Sequence, residues 1–413
     1  SLRNVKIQRI YHISRNVDME SVKNSVRELS AFKHKGFKRL IPIVFAGNEK
    51  YLQFAAVSIQ SIYENSNPEY LYDINIFVDA SLSENMKRRL NSLKYPNLRI
   101  MLWDVRNSFN GIDLYSVGHY SKQMYYRWLI PEILSMYNKV IYLDCDLVVN
   151  RDIADLYDKN IGNNYVAAVN NFLRDNLVNH VENRLGLGLN NYFNSGVLKF
   201  NCKAWINANL KNKCIACLKS YNKLPCPDQD VLNLVCKGRI YKLNDTWNFQ
   251  WHHQFKDARK GKFVCDYDKR FNNLLLTKPS IIHFTSFLKP WEHPERAFSE
   301  YFWNYCRNSD FYEMILFANI QNADLNKKRT ESGESVKLRN KLNKLKHSYT
   351  YKIACFINFI PRKIKGYNFA EIPPVGCGQK ELKKCINSIY NSRSFKIANK
   401  ITAIFRKIKS KIK

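Results

Sequence analysis

Val140-Ile141-Tyr142-Leu143-Asp144-Cys145-Asp146-Leu147-Val148-Val149 is the stretch that decides how this chain reads. An apolar run of this length reads as a buried strand. Two carboxylates interrupt its middle, and burying an unpaired charge costs several kcal/mol, so both need a reason. In an extended chain, residues i and i+2 face the same side. Asp144 and Asp146 would then converge, while Cys145 turns toward the core. Two converging carboxylates repel unless a cation lies between them. A hard divalent ion such as Mn2+ or Mg2+ suits oxygen ligands of this kind. The competing reading is a loop with two solvated acids, or helix caps. The β-branched flanks weigh against it.

Upstream, residues 40–46 read as a first strand, which ends in Gly47-Asn48-Glu49-Lys50-Tyr51 and enters a helix over residues 51–63. A strand over 74–78, a helix over 83–93 and a strand over 98–103 follow. Repeated strand–helix alternation predicts an α/β fold with a parallel sheet. In such sheets ligands bind beyond the carboxyl ends of the strands, where the loop at Asn48 and the acid pair both fall. Residues 122–131 read as a helix in which Arg127 stands among apolar and aromatic neighbours. It is either a snorkelling surface arginine or a cation aimed into the site.

Downstream, shorter strands are predicted over 165–169 and 196–200, the second preceded by Asn191-Tyr192-Phe193-Asn194-Ser195-Gly196. Asn194 can donate and accept, and Gly196 allows close backbone approach. A helix over 203–221 follows, then a helix opening at Pro227-Asp228-Gln229-Asp230. Asp228 is a plausible N-cap there, although polar side chains at a helix start can also present to a ligand. His283 closes a short strand over 280–284, and Lys289 lies six residues on. A lone histidine is usually structural. This pairing nevertheless suits a metal ligand with a phosphate clamp.

The 413 residues carry a net charge of +31, with 45% hydrophobic and 14% aromatic content. That allows a substantial core and calls for an anionic partner: a nucleotide phosphate, a nucleic acid or an anionic membrane. The charge is not spread evenly. Residues 318–413 hold 23 Lys+Arg against 5 Asp+Glu, a surplus of +18. Apolar residues recur there at Ile386, Ile389, Tyr390, Ile397, Ile401, Ile404, Phe405, Ile408 and Ile412 among basic ones, the pattern of a basic amphipathic helix lying in a membrane interface. A solvated tail, a partner-binding helix and a helix packed on the main domain are the alternatives. No apolar run is long enough to span a bilayer, and the first residues lack the apolar core of a signal peptide. The expected organisation is a basic N-terminal extension over 1–37 with a helix over 19–35, a main domain over 38–317, and a basic, mostly helical region over 318–413. Eleven scattered cysteines fit core packing and a reducing compartment, Cys355 among them. Cys214 and Cys217 have zinc-like spacing without a second pair.

With these pieces placed, residues 39–308 resemble glycosyltransferase family 8, above all its bacterial lipopolysaccharide and lipooligosaccharide α-galactosyl- and α-glucosyltransferases, with glycogenin a more distant relative. The resemblance rests on ordered motifs: Ile43-Val44-Phe45-Ala46 with Tyr51, Tyr126-Arg127, Leu143-Asp144-Cys145-Asp146, Phe193-Asn194-Ser195-Gly196, Asp228-Gln229-Asp230, and His283 with Lys289-Pro290-Trp291. It implies a GT-A (Rossmann-like) fold and a UDP-galactose or UDP-glucose donor whose hexose is transferred with retention to a glycan or glycolipid acceptor. It further implies Mn2+, with Mg2+ a possible substitute, held by Asp144, Asp146 and His283. By the same resemblance Ala46, Asn48 and Tyr51 form the uridine pocket and Asp144 also touches the ribose. Lys289 and the backbone near Ser286 bind the diphosphate, and Arg127, Asn194, Asp228 and Gln229 surround the donor sugar. Asn48 and Lys50 depart from the acid and the asparagine that relatives often carry, and Asn171 stands where many have Asp.

Retention requires either double displacement or front-face attack guided by the leaving phosphate. Gln229 is a weak nucleophile, so front-face attack is favoured, with Gln229 and Asp228 at the reacting centre. The basic tail implies a cytoplasmic enzyme, peripheral at the inner face of a bacterial membrane, working in surface-glycan assembly. Three rivals stand beside it: a nucleic-acid-binding basic protein, for which no specific motif is present; an enzyme that glycosylates a protein such as an adhesin; and an inactive relative, against which the intact acid, imidazole and lysine set argues.

Overall fold

The computed structural model describes residues 10–12, 36–79, 82–115, 122–173, 175–221, 223–251, 277–285, 288–321, parts of 337–350, and 379–411. The expected helix over 19–35, Cys355 and Ser286 lie outside them. The chain divides into two compact units, Ser1–Leu316 and Phe317–Lys413.

The first unit opens with β1 (Ile10–His12), β2 (Arg39–Ala46), helix α1 (Glu49–Glu64), β3 (Tyr70–Val78), α2 (Glu84–Ser92) and β4 (Leu98–Asp104). A 3-10 helix, Lys122–Leu129, leads through a helical turn, Ile130–Ile133, to β5 (Lys139–Leu143) and β6 (Leu147–Val149). Then come β7 (Val166–Ala168), α3 (Asp175–Asn179), β8 (Val197–Asn201), α4 (Cys202–Asn207), α5 (Leu210–Ser220), α6 (Pro227–Val235) and β9 (Ile240–Lys242). Two short strands, β10 (Phe249–Gln250) and β11 (Ile281–His283), and α7 (Ser299–Arg307) complete it.

Eight strands form one sheet in the order β1-β4-β3-β2-β5-β8-β7-β9. Its alternation is read directly from the residues: Ile41, Ile43 and Phe45 of β2 face one core, and Val44 faces the other. Helices cover both faces, as a parallel sheet requires. The sheet is not parallel throughout, however. β8 runs antiparallel to both β5 and β7. The N-terminal stretch contributes Ile10–His12, which pairs in parallel with β4 at the sheet edge.

The acid-bearing run is two strands rather than one. The Asp144 N–H donates to the Gly196 carbonyl at 2.8 Å, and the chain then leaves the large sheet. β6 joins β11 and β10 in a second, three-stranded sheet, antiparallel to β11. The backbone of β6 is also held by α1: Ser58 Oγ donates to the Leu147 carbonyl at 2.6 Å, and Val149 N–H donates to Ser61 Oγ at 2.9 Å. Asp144 and Asp146 thus stand at the switch between two sheets, and Cys145 points inward, its thiol 3.4 Å from the Ala46 carbonyl.

Three further expectations are corrected. The helix over 203–221 breaks into α4 and α5 at Asn209, whose φ of 53° lies in the left-handed region. Asp228 is not an N-cap: Cys226 holds that position, Pro227 opens the helix, and Asp228 sits within its first turn. The segment Lys122–Leu129 is 3-10 rather than α-helical, and α geometry begins only at Ile130, with Pro131 in the first turn, where its missing N–H forfeits no helix bond. Cys214 and Cys217 belong to α5; Cys214 is buried in the core, and both thiols are free.

In the second unit the expected single amphipathic helix is two, α8 (Gln379–Asn391) and α9 (Arg393–Lys411), separated at Ser392, whose hydroxyl accepts from Phe395 N–H at 3.3 Å. Ile386, Ile389, Phe395 and Ala398 pack with Leu342 and Leu345 of the same unit. Tyr390, Ile397 and Ile404 are exposed. Among the described residues no helix is long and apolar enough to cross a membrane.

Candidate functional site

The break at Asp144 lies beside the start of β8 and the end of β11, so three segments far apart in sequence deliver their side chains to one point. Ligand atoms of Asp144, Asp146 and His283 lie within 4.8 Å of one another. Among the described residues this is the group of three or more acidic, histidine or cysteine side chains placed closely enough to hold a metal ion. His283 Nε2 is 3.1 Å from Asp146 Oδ1 and 3.7 Å from Asp144 Oδ2.

The protonation of that imidazole follows from hydrogen bonds. Gly196 N–H is a donor without ambiguity, and it meets Asn194 Oδ1 at 3.0 Å. That carbonyl also accepts from Asn248 Nδ2 at 2.9 Å, which turns Asn248 Oδ1 toward His283 Nδ1 at 3.0 Å. Nδ1 must therefore carry a proton, and Nε2 presents its other face to the two acids. A lone pair cannot rest against two carboxylates; a proton or a cation belongs there. This is the arrangement in which a metal-ligating histidine donates its second nitrogen to a fixed acceptor, so the residues fit a divalent ion.

Charge around the triad is balanced by two cations. Lys289 Nζ lies 2.5 Å from Asp146 Oδ2 and donates to the Phe284 carbonyl at 2.7 Å. Burial pushes the Asp146 carboxyl up, but Lys289 and His283 outweigh it and hold it far below the usual range. Arg127 is buried rather than snorkelling. Its guanidinium reaches Asp144 Oδ1 and Asp228 Oδ2, both at 3.0 Å, donates to the Ser195 carbonyl and hydroxyl at 2.7 Å, and lies over the Tyr142 ring. Burial lowers its pKa, but the two acids raise it by more, so it stays charged. Asp228 is pushed up by burial, against the pull of Arg127. Tyr142 OH donates to Asp144 Oδ1 at 2.6 Å.

Gln229 Oε1 accepts from Ser195 N–H at 3.0 Å and lies 3.3 Å from Asn194 Nδ2. Asn171 Oδ1 accepts from the same Asn194 amide at 3.2 Å. On the other side, Asn48 caps α1, its Oδ1 accepting from Tyr51 N–H at 3.2 Å. Tyr51 is half-buried and burial pushes its hydroxyl up to about 12. Ala46, Asn48, Tyr51, Arg127, Asn194, Asp228, Gln229, Lys289 and the triad all line one cavity of about 240 Å³. Lys50 is exposed and does not line it.

A sequence profile described as glycosyl transferase family 8 matches residues 42–294. The chain belongs to that family. A putative glycosyltransferase of Haemophilus influenzae is 29% identical over 215 residues, which are 50% of this chain and 62% of that protein. The lipopolysaccharide 1,2-glucosyltransferase of Escherichia coli is 29% identical over 254 residues, 60% of this chain and 72% of the relative. Among solved structures, the bifunctional glycosyltransferase WbbM superposes with a TM-score of 0.59 at 26% identity, covering 68% of this chain and 52% of WbbM. This family 8 chain therefore spans under two thirds of the Haemophilus relative and about half of WbbM. Its mixed α/β sheet, mostly parallel, is of the GT-A kind.

Sequence reasoning passed over several residues on which the family 8 site depends. Asn248 sits between Trp247 and Phe249, fully buried, with no motif to mark it; a polar side chain inside an aromatic run was the available signal. Tyr142 reads only as part of the buried apolar run, and Ser195 stands within its motif without a role of its own. Gln250 is buried and binds Asn170 and Phe172 of the loop after β7.

Proposed function

We propose that this family 8 chain transfers a hexose, galactose or glucose, from UDP to a saccharide acceptor with retention of configuration, using Mn2+ held by Asp144, Asp146 and His283. The observation that carries the reading is the His283 imidazole, fixed through Asn248 with Nε2 turned to both acids, in the same cavity as Lys289 and the Arg127–Asp228 pair. Two carboxylates and one imidazole suit Mn2+ better than Mg2+. When bound, the ion would act as a Lewis acid that neutralises the charge on the departing diphosphate.

The chain's own groups supply the rest. Lys289 adds a fixed cation on the diphosphate side, where a preorganised charge stabilises developing negative charge. Tyr51 offers an aromatic face to uracil. Asn48 spends its carbonyl on the helix cap, so its amide N–H is the group left for a uracil carbonyl. Arg127, Asn194, Asp228 and Gln229 orient the donor sugar, which develops oxocarbenium character. Because Gln229 Oε1 already accepts from Ser195 N–H, it is engaged rather than poised as a nucleophile. This favours front-face attack, with Gln229 and Asp228 holding the reacting centre. A glycosyl adduct trapped on either residue would refute that step.

The full chain with Mn2+ should release UDP from UDP-glucose or UDP-galactose, tested one sugar at a time, and Asp146→Asn should abolish the release. No turnover of either donor, or turnover indifferent to Mn2+, overturns the reading. For the acceptor we propose a surface glycan such as lipopolysaccharide or lipooligosaccharide, a reading supported by the Escherichia coli relative, which is a lipopolysaccharide 1,2-glucosyltransferase. We extend the reading to location: a cytoplasmic enzyme held peripherally at the inner face of a bacterial membrane by the basic region over 318–413. Its surplus of +18 supports this, each basic side chain near an anionic surface being worth about 1 kcal/mol. The exposed Tyr390, Ile397 and Ile404 supply the apolar contact.

A further inference from the structure

A second polar cluster sits one residue beyond Gln229. Asp230 is fully buried. Its Oδ1 accepts from Tyr192 OH at 2.6 Å; its Oδ2 accepts from Cys226 N–H at 3.1 Å and faces His180 Nε2 at 3.0 Å. Three chain segments therefore meet on one carboxylate: the entry to α6, the approach to β8, and the segment over 171–191 that carries α3. Each leads within a few residues to side chains that line the cavity: Asp228 and Gln229, Asn194 and Ser195, Phe172 and Leu177.

The third segment is the one least able to hold itself. α3 has five residues, too few for a stable helix without tertiary support. It passes directly into a π-turn, His180–Arg184, a rare geometry frequently found at functional sites. His180 is the first residue of that turn and is almost buried. A buried carboxylate can accept several hydrogen bonds, and leaving one site unmet is costly. The imidazole N–H meets that need and ties the segment to α6. The uridine end of the cavity is built from β2 and α1 instead, through Asn48 and Tyr51.

We infer that His180, acting through Asp230, is a positioning residue for the sugar end of the cavity: it holds the wall carrying Phe172 and Leu177 against the helix that presents Asp228 and Gln229. The inference rests on the UDP-hexose reading above. It separates the two ends of the donor: loosening the clasp weakens hold on the hexose and leaves the nucleotide untouched.

The test uses the full chain with Mn2+, comparing His180→Ala and His180→Gln with the parent. Affinity for UDP is read by calorimetry, and KM and kcat are read from UDP-hexose hydrolysis. Loss of a hydrogen bond to a charged group is worth about a tenfold change. His180→Ala should raise KM by about that factor while the Kd for UDP stays within about twofold, and His180→Gln, which can still donate to Asp230, should recover most of the loss. An unmoved KM in His180→Ala, a parallel rise in the UDP Kd, or a glutamine variant as impaired as the alanine one overturns the inference. If His180→Ala fails to fold, Asp230→Asn is read by the same split. A parent that hydrolyses neither UDP-glucose nor UDP-galactose refutes the functional reading itself; an active parent with an unmoved KM refutes the clasp alone.

Discussion

A methyl group on Gly196 would stand 2.2 Å from His283 Cε1 and 2.6 Å from Asp144 Oδ2. Neither neighbour can step aside freely. His283 is tied to Asn248 and Asp146, and Asp144 to Arg127 and Tyr142. Gly196→Ala is therefore expected to pull the triad apart and weaken Mn2+ binding by about a hundredfold, the upper end of what lost support around a metal site costs. Calorimetric titration reads this, with circular dichroism checking that the fold persists. Asn248→Ala acts one bond further out. It frees the imidazole to take the other tautomer, and an affinity loss of about tenfold is expected in the same titration. Equal Mn2+ affinity in the Asn248 variant would show that His283 is oriented by something else.

At the scale of elements, the break between α4 and α5 has one cause. Asn209 adopts a left-handed conformation with φ 53° and ψ 43°, its side chain making no capping bond to the helix that follows. Such a conformation costs an ordinary L-residue about 1–2 kcal/mol, and asparagine and glycine less. Asn209→Ala should destabilise the protein by about 1 kcal/mol, and Asn209→Gly should be close to neutral. Urea denaturation of the two variants measures the difference; an alanine variant as stable as the parent would mean that α4 and α5 can fuse. The break matters to the site because α5 packs beside α6, the helix that carries Asp228, Gln229 and Asp230.

At the scale of the whole molecule, charge and titration set two expectations. A chain ending near Ala318 lacks the surplus of +18 and should lose binding to anionic vesicles while still hydrolysing the donor. Equal vesicle binding with and without the tail would remove the membrane reading. The second expectation concerns alkaline pH. Burial pushes Tyr51 and Tyr157, and the thiols of Cys202, Cys236 and Cys306, up to about 12. It raises Tyr137, Tyr142 and Tyr192 well above their ordinary value too. The unfolded chain releases these protons from about pH 9–10 upward, whereas the folded chain retains them. The folded state then binds more protons, so stability falls as pH rises. Lys199, lowered to about 8 by burial, and Lys139, lowered by burial as well, work the other way below 10.5, two groups against many. The urea midpoint should therefore decline steadily above about pH 10; a midpoint that holds or rises would contradict the burial of these phenols.

What was legible in the sequence was what neighbouring residues decide among themselves. The near-continuous apolar runs over residues 40–46 and 74–78 marked strands, and the spacing of Asp144 and Asp146 brought two acids to one side. The residues expected to hold donor and metal, all but Ser286 among the described ones, lie around one cavity, but so do Gln123, Tyr142, Phe172 and Gln250, for which the sequence suggested no role. Tertiary packing decided the rest. Whether Arg127 met water or two carboxylates depended on segments near 144, 195 and 228 converging on it. The strand broke at the acids because Gly196 and Phe284, from β8 and the end of β11, claimed the backbone on either side. Periodicity and propensity are local quantities, set over a few residues. The proton on His283 and the carboxylate facing His180 are set by hydrogen-bond partners 35 and 50 residues away, and only the folded chain brings those together.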